Sequence, residues 1–184
     1  MVNTIRICGY ANLWVLVVLM QIINLYPNLK NVEDFTNKYS PAAAAVQEKT
    51  GFPAVATLAQ IAQETGWGKH ILRVDIGGME VDSKNLFNIK ANASWKGRKG
   101  RTKVWEIVDG HKIWVDDWFR VYDTYEESFL DYIDFLRKNG RYEAALKETD
   151  PFKYIEAIAK AGYATDPNYA KSISSIIKTW KVTT

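Results

Sequence analysis

The 184-residue chain has a single cysteine, Cys8, and only two histidines, His70 and His111. One cysteine excludes a disulfide within the chain. So few thiol and imidazole ligands leave little material for a transition-metal site, and no EF-hand-like run supplies a carboxylate one, so no cofactor is expected. The phosphate loop G-x-x-x-x-G-K-[ST], the dinucleotide pattern G-x-G-x-x-G and the nucleophile elbow G-x-S-x-G are all missing. Charge of one sign is scarce as well. The 24 Lys and Arg stand against 21 Asp and Glu, a net charge of +3 that does not by itself argue for nucleic acid. Internal repeats, low-complexity tracts and long linkers are absent.

Aromatic residues are plentiful: 7 Trp, 10 Tyr and 7 Phe. Tryptophan and tyrosine suit hydrophobic cores and sugar-lined clefts alike. At 47% hydrophobic and 24% charged, the composition is that of an ordinary globular protein, and the length suits one domain with a real core. The N-terminus differs. Residues Ile7 to Tyr26 are mostly apolar, interrupted by Asn12, Gln21 and Asn24 and preceded by Arg6. This segment, residues 1–33, reads as an export signal or membrane anchor, and alternatively as an amphipathic or buried helix packed on the domain. The folded domain is expected over 34–184.

Periodicity predicts a mainly helical α+β domain with a small β lobe in the middle. The run "NVEDFTNKYSPAAAAVQEKTG" reads as helical, with Ser40-Pro41 as a cap and first-turn proline and Gly51 as a stop, and Pro53 reads as the start of a helix ending near Glu64 to Gly66. "SKNLFNIKA" reads as a short extended piece. "TKVWEIVDGHKIWVDDWFRVY" reads as a hairpin turning at Asp109-Gly110, which sets Glu106 against Ile113 and Trp105 against Trp114. Thr124 and Glu127 form a capping box. Asp150-Pro151 and Asp166-Pro167 open the last helices, and Gly162 stops the first of these.

Within "AQETGWG", Glu64 falls at a helix C-terminus, where unpaired carbonyls disfavour negative charge. Burial, that helix end and the neighbouring Trp67 would each favour the neutral carboxyl. A carboxyl that keeps its proton near neutral pH can serve as a general acid. On the residues alone, Glu64 reads equally as a frayed, solvated glutamate. Glu106 is a second carboxylate on an otherwise largely apolar strand face, read either as catalytic or as an edge residue pointing to water. Asp109, Asp116, Asp117 and Asp123 are its rivals. The run "KGRKGRTK" reads first as a solvated hairpin flank and second as a surface attractive to an anionic polymer; its glycines argue against a DNA-reading helix.

The blocks "LAQIAQETGWG", "NLFNIKA", "SWKG", "FRVYDTYEESFLDYIDFL" and "AGYATDPNYAKSI" together resemble glycoside hydrolase family 73. Its members are peptidoglycan N-acetylglucosaminidases, among them the hydrolase domain of the flagellar rod-cap protein and several autolysins. The resemblance runs from about Asp34 to Trp180. It implies a lysozyme-like fold whose cleft holds a glycan strand, and no metal. Glu64 matches the family's general acid, Glu106 its β-lobe carboxylate, and Tyr163 a tyrosine that supports catalysis. Trp67, Asn85, Phe87 and Tyr169 match positions that shape or line the cleft, with packing as the alternative role for Phe87 and Trp67. Asn88 replaces a usual glycine, and asparagine tolerates the left-handed conformation.

The resemblance implies cleavage of a β-1,4 bond after N-acetylglucosamine, with peptidoglycan as partner and an exported location in the periplasm or cell wall. Membrane attachment would come through residues 1–33. A lytic transglycosylase or a muramidase on the same fold, an inactive wall-binding module and an anchored assembly factor are the competing readings. A wall-remodelling enzyme, a part of a larger wall-penetrating machine and a phage protein all fit.

Overall fold

The structure, a computed structural model, describes residues 29–108, 111–164 and 166–181, with no side-chain description for 29, 30, 105–108 and 181. The apolar N-terminal run and the Asp109-Gly110 turn lie outside the described residues. Helix α1 spans Leu29–Thr50 and α2 Ala54–Thr65. Strands β1 (Arg73–Ile76), β2 (Met79–Asp82), β3 (Lys99–Val108) and β4 (His111–Arg120) follow. Helices α3 (Tyr125–Arg137), α4 (Glu143–Leu146), α5 (Pro151–Lys160) and α6 (Tyr169–Lys181) complete the chain. This is the expected mainly helical α+β arrangement with a β lobe inserted in the middle. Among the described residues, no helix is long and apolar enough to cross a membrane.

Two local expectations are corrected. Helix α1 does not start at Ser40-Pro41; it is already helical at Leu29, the first described residue, and runs on through Pro41. Burial explains why. Phe35, Tyr39, Ala43 and Val46 form one buried stripe on both sides of the proline, and the packing of that stripe outweighs the lost helical hydrogen bond. The Ser40 hydroxyl does not cap; it donates to the carbonyl of Thr36 at 2.6 Å. The stretch 83–90 is not extended. It is a turn-rich loop joined to the sheet by a single bridge, Lys90 to Phe119.

The lobe holds four strands in the order β2-β1-β3-β4, all pairings antiparallel. The predicted β3–β4 register is found, with Glu106 opposite Ile113 and Trp105 opposite Trp114. The β1–β2 hairpin, turning at Gly77-Gly78, was not anticipated.

The base of β4 is locked to the helical body. Arg120 Nη1 donates to both carboxylate oxygens of Asp131 on α3, at 2.7 and 2.6 Å, and Tyr122 Oη donates to Asp131 at 2.7 Å. The Trp95 ring lies 4.4 Å beneath the guanidinium. Helix α3 starts at Thr124, whose hydroxyl accepts from Glu127 N at 3.1 Å, while the Glu127 carboxylate accepts from Asp123 N at 2.8 Å.

In the helical core, one polar cluster joins four helices. Gln60 on α2 donates to Tyr169 Oη (α6) at 2.9 Å and to Tyr132 Oη (α3) at 3.1 Å. Tyr154 Oη (α5) lies 3.1 Å from Tyr132 Oη. All four side chains are buried.

Two stability predictions come from these contacts. Asp131→Ala leaves Arg120 charged and unpaired in a nearly buried setting, and should lower unfolding free energy by about 3 kcal/mol. Gln60→Leu strips Tyr169 of its partner and half-strips Tyr132, and should cost about 2–3 kcal/mol. Urea denaturation of each variant reads both losses.

Candidate active site

Three helix ends meet around one open pocket. Its volume is about 550 Å³ and its lining is Gln63, Glu64, Tyr163, Ala164, Asp166 and Tyr169. Glu64 sits in the last turn of α2. Tyr163 follows α5 after Ala161 and Gly162, and Tyr169 is the first residue of α6.

The local sequence accounts for each position. After Glu64 the chain turns with three successive left-handed residues, Gly66 (φ 57), Trp67 (φ 63) and Gly68 (φ 76). Thr65 staples that turn. Its hydroxyl donates to Ile61 O at 2.6 Å and accepts from Gly68 N at 2.8 Å. A Cβ on Gly68 would lie 3.1 Å from Tyr39 Cε2, a tight contact that adds to the strain any side chain meets at this φ. Tyr163 is placed by a Schellman closure of α5: Gly162 N donates to Ala159 O at 2.9 Å and Tyr163 N to Ile158 O at 3.3 Å. Tyr169 is held from below by Gln60, which lies one helical turn before Glu64.

The electrostatics follow from this packing. The Glu64 side chain is exposed to the pocket, yet enough protein surrounds it that desolvation raises its carboxyl above the ordinary glutamate value. Burial also pushes the phenols of Tyr163 and Tyr169 up, and the charge of Glu64 adds to both shifts. The pocket therefore joins a carboxyl inclined to keep its proton with two phenols that stay neutral hydrogen-bond donors.

The structure thus brings Glu64, Tyr163 and Tyr169 together and places Trp67, Asn85 and Phe87 elsewhere. Trp67 packs edge-on against Phe35 and Trp180, with ring centroids 5.7 Å apart in each pair. Asn85 is buried and its amide is used within the chain. Nδ2 donates to Ile89 O and Arg120 O, and Oδ1 accepts from Ile89 N. Phe87 stacks on Tyr132 at 3.9 Å. None of these three lines the pocket. Asn88 takes the left-handed conformation, with φ 51.

Glu106 is placed only by its backbone, in the strand alternation of Val104 and, opposite, Ile113 and Val115. Its side chain lies outside the described residues, as does Asp109. Among the rivals, Asp117 pairs with Lys90 at 2.7 Å, whose hydrogen bond holds its carboxyl below the usual range. Asp123 pairs with Arg98 at 2.5 Å, and Asp116 is exposed. None of these three faces the Glu64 pocket. Sequence reasoning passed over Asp166 as a helix cap and over Gln60 as one more helical position. The i, i+4 spacing of Gln60 and Glu64 was the available signal. Among the described residues, no group of His, Cys, Asp and Glu could hold a metal ion.

Known proteins resemble this chain in both sequence and fold. The glucosaminidase family model, described as mannosyl-glycoprotein endo-beta-N-acetylglucosaminidase, matches residues 40–182. The peptidoglycan hydrolase FlgJ of Vibrio parahaemolyticus is 41% identical over 145 residues, covering 78% of this chain and 46% of that protein. FlgJ of Pseudomonas aeruginosa is 38% identical over 149 residues, covering 80% of this chain and 36% of that protein. The chain thus spans less than half the length of these relatives. The C-terminally truncated glycoside hydrolase domain of Salmonella typhimurium FlgJ superposes with a TM-score of 0.68 at 38% identity, over 81% of this chain and 97% of that one. The fold is accordingly lysozyme-like. On the family match and these identities, the chain belongs to the glucosaminidase family, glycoside hydrolase family 73.

Proposed function

We propose that this chain is a peptidoglycan hydrolase that cuts the β-1,4 glycosidic bond after N-acetylglucosamine, with Glu64 as its general acid. The observation that carries the reading is the desolvated Glu64 carboxyl sharing a pocket with Tyr163 and Tyr169. The FlgJ relatives are named peptidoglycan hydrolases, which supports the substrate. Glu64 protonates the leaving glycosidic oxygen while an oxocarbenium-like centre develops on the departing bond's anomeric carbon. Tyr163 donates a hydrogen bond near that centre and orients the sugar, and Tyr169 forms the adjoining wall. Water completes hydrolysis. Glu106 activates that water as a base, or the substrate's own 2-acetamido group takes the role. Trp67, Asn85 and Phe87 support the cleft from behind by packing and hydrogen bonding. Residues 34–184 form the catalytic domain. Residues 1–33 export it or tether it to a membrane, so that it works in the periplasm or wall as part of a wall-penetrating assembly.

Purified peptidoglycan digested with the wild type should yield reducing N-acetylglucosamine ends by mass spectrometry. Glu64→Gln should lower their release by about 10²–10⁴-fold. Tyr163→Phe, which loses only a hydroxyl, should lower it by about 10²-fold. Anhydromuramic ends would instead make the protein a transglycosylase, and reducing muramic ends a muramidase. Binding without release would make it a wall-binding module.

The raised Glu64 pKa also has a stability consequence. The folded chain holds that proton more tightly than the unfolded chain. The resulting stabilisation is complete below the ordinary glutamate value of 4.5 and is lost as pH rises through the folded value. Melting temperatures of Glu64→Gln and wild type should therefore agree at low pH, with the variant becoming the more stable as pH climbs toward neutrality.

A further inference from the structure

Side chains alternate across the β3–β4 ribbon, giving it two unlike faces. One face carries Val104, Val115 and Phe119, of which Val104 and Phe119 pack with Val74 and Val121. The other carries Arg120 at its base, turned to Asp131 of α3, and beyond it Trp114 and Trp118, 67% and 43% exposed, with the exposed cations Lys99, Arg101 and Lys103. The register interleaves them. Arg101 stands opposite Trp118 and Lys103 opposite Asp116, the single acid among the hairpin's described positions on this face. Lys99 Nζ lies 4.9 Å from the centroid of the Trp118 ring. Among the described residues, two large indoles stand in water on one strand, and such surfaces mark binding sites.

We propose that this outward face of the ribbon is a second glycan-binding surface, which holds a carboxylate-bearing peptidoglycan strand other than the one being cut. The proposal rests on the peptidoglycan reading above. Sugar rings present C–H faces that match exposed indoles, and the carboxylates of the strand match Lys99, Arg101 and Lys103. Trp114 and Trp118 are separated by about 13 Å along the strand, the reach of a short oligosaccharide. The backbone position of Glu106 belongs to the opposite alternation, so a strand on the tryptophan face does not compete for it. The enzyme would thereby stay attached to an insoluble meshwork between cuts.

The test is co-sedimentation of the full chain with insoluble peptidoglycan, in a Glu64→Gln background so that nothing is cut. Adding Trp114→Ala with Trp118→Ala should raise the apparent Kd roughly tenfold. Adding Lys99→Gln, Arg101→Gln and Lys103→Gln should do the same at low salt, with the difference fading as salt rises. With Glu64 intact, both sets should leave turnover of short soluble peptidoglycan fragments unchanged. The charge set alters only exposed side chains, so its result does not depend on how the tryptophan set folds. Unchanged sedimentation in both sets overturns the proposal. So does a parallel fall in soluble-fragment turnover, which would make the face part of the catalytic cleft. Tighter, tryptophan-dependent binding to anionic phospholipid vesicles than to peptidoglycan would overturn it in favour of a lipid surface. Failure of the enzymatic reading looks different: the wild type would release no sugar ends, while sedimentation still responded to the two variant sets.

Discussion

The pocket depends on one buried amide. Gln60 reaches α6 through Tyr169, α3 through Tyr132 and α5 through Tyr154, whose hydroxyl lies 3.4 Å from Gln60 Oε1. Inside a core, each of these polar groups costs free energy unless it is paired. The set is satisfied only when all four helices sit at their native depth and rotation. Apolar side chains of similar size would fill the space without fixing those relations. Because Tyr169 is also a pocket wall, the requirement that closes the core determines where the wall stands relative to Glu64, one turn along the same helix.

The turn after Glu64 is the second constraint. Trp67 adopts a left-handed backbone at a cost of about 1–2 kcal/mol for a non-glycine residue. Its ring meets Phe35 from α1 and Trp180 from α6, so the strained turn is clamped between the first and last described helices. That packing offsets both the backbone strain and the unfavourable placement of a carboxylate at a helix C-terminus. The turn thereby holds a group that would be avoided there on grounds of stability alone.

Much of this was legible in the residues, because short-range chemistry dictated it. The Thr124 cap, the Asp150 cap with its side chain on Phe152 N and Lys153 N, the Gly162 stop and the β3–β4 register all follow from local signals. The failures were tertiary. Pro41 reads as a helix start, and only the buried stripe on both sides of it shows that the helix continues. Asn85 matches a position that shapes or lines the cleft, and only the fold shows that its side chain makes three hydrogen bonds within the chain. The convergence of Glu64 with Tyr163, 99 positions later in the numbering, came from family resemblance and not from spacing. Gln60 stayed unnoticed because a glutamine within a helix resembles a solvent-facing residue until its partners are known.

The Gln60 contact also settles the direction of a hydrogen. An amide nitrogen can only donate, so at 2.9 Å the Tyr169 oxygen is its acceptor. The phenol's own hydrogen is thereby left over and must find an acceptor elsewhere. Tyr169 borders the open pocket. A residue deep in α2 thus fixes the accepting role of a hydroxyl whose side chain also borders the pocket.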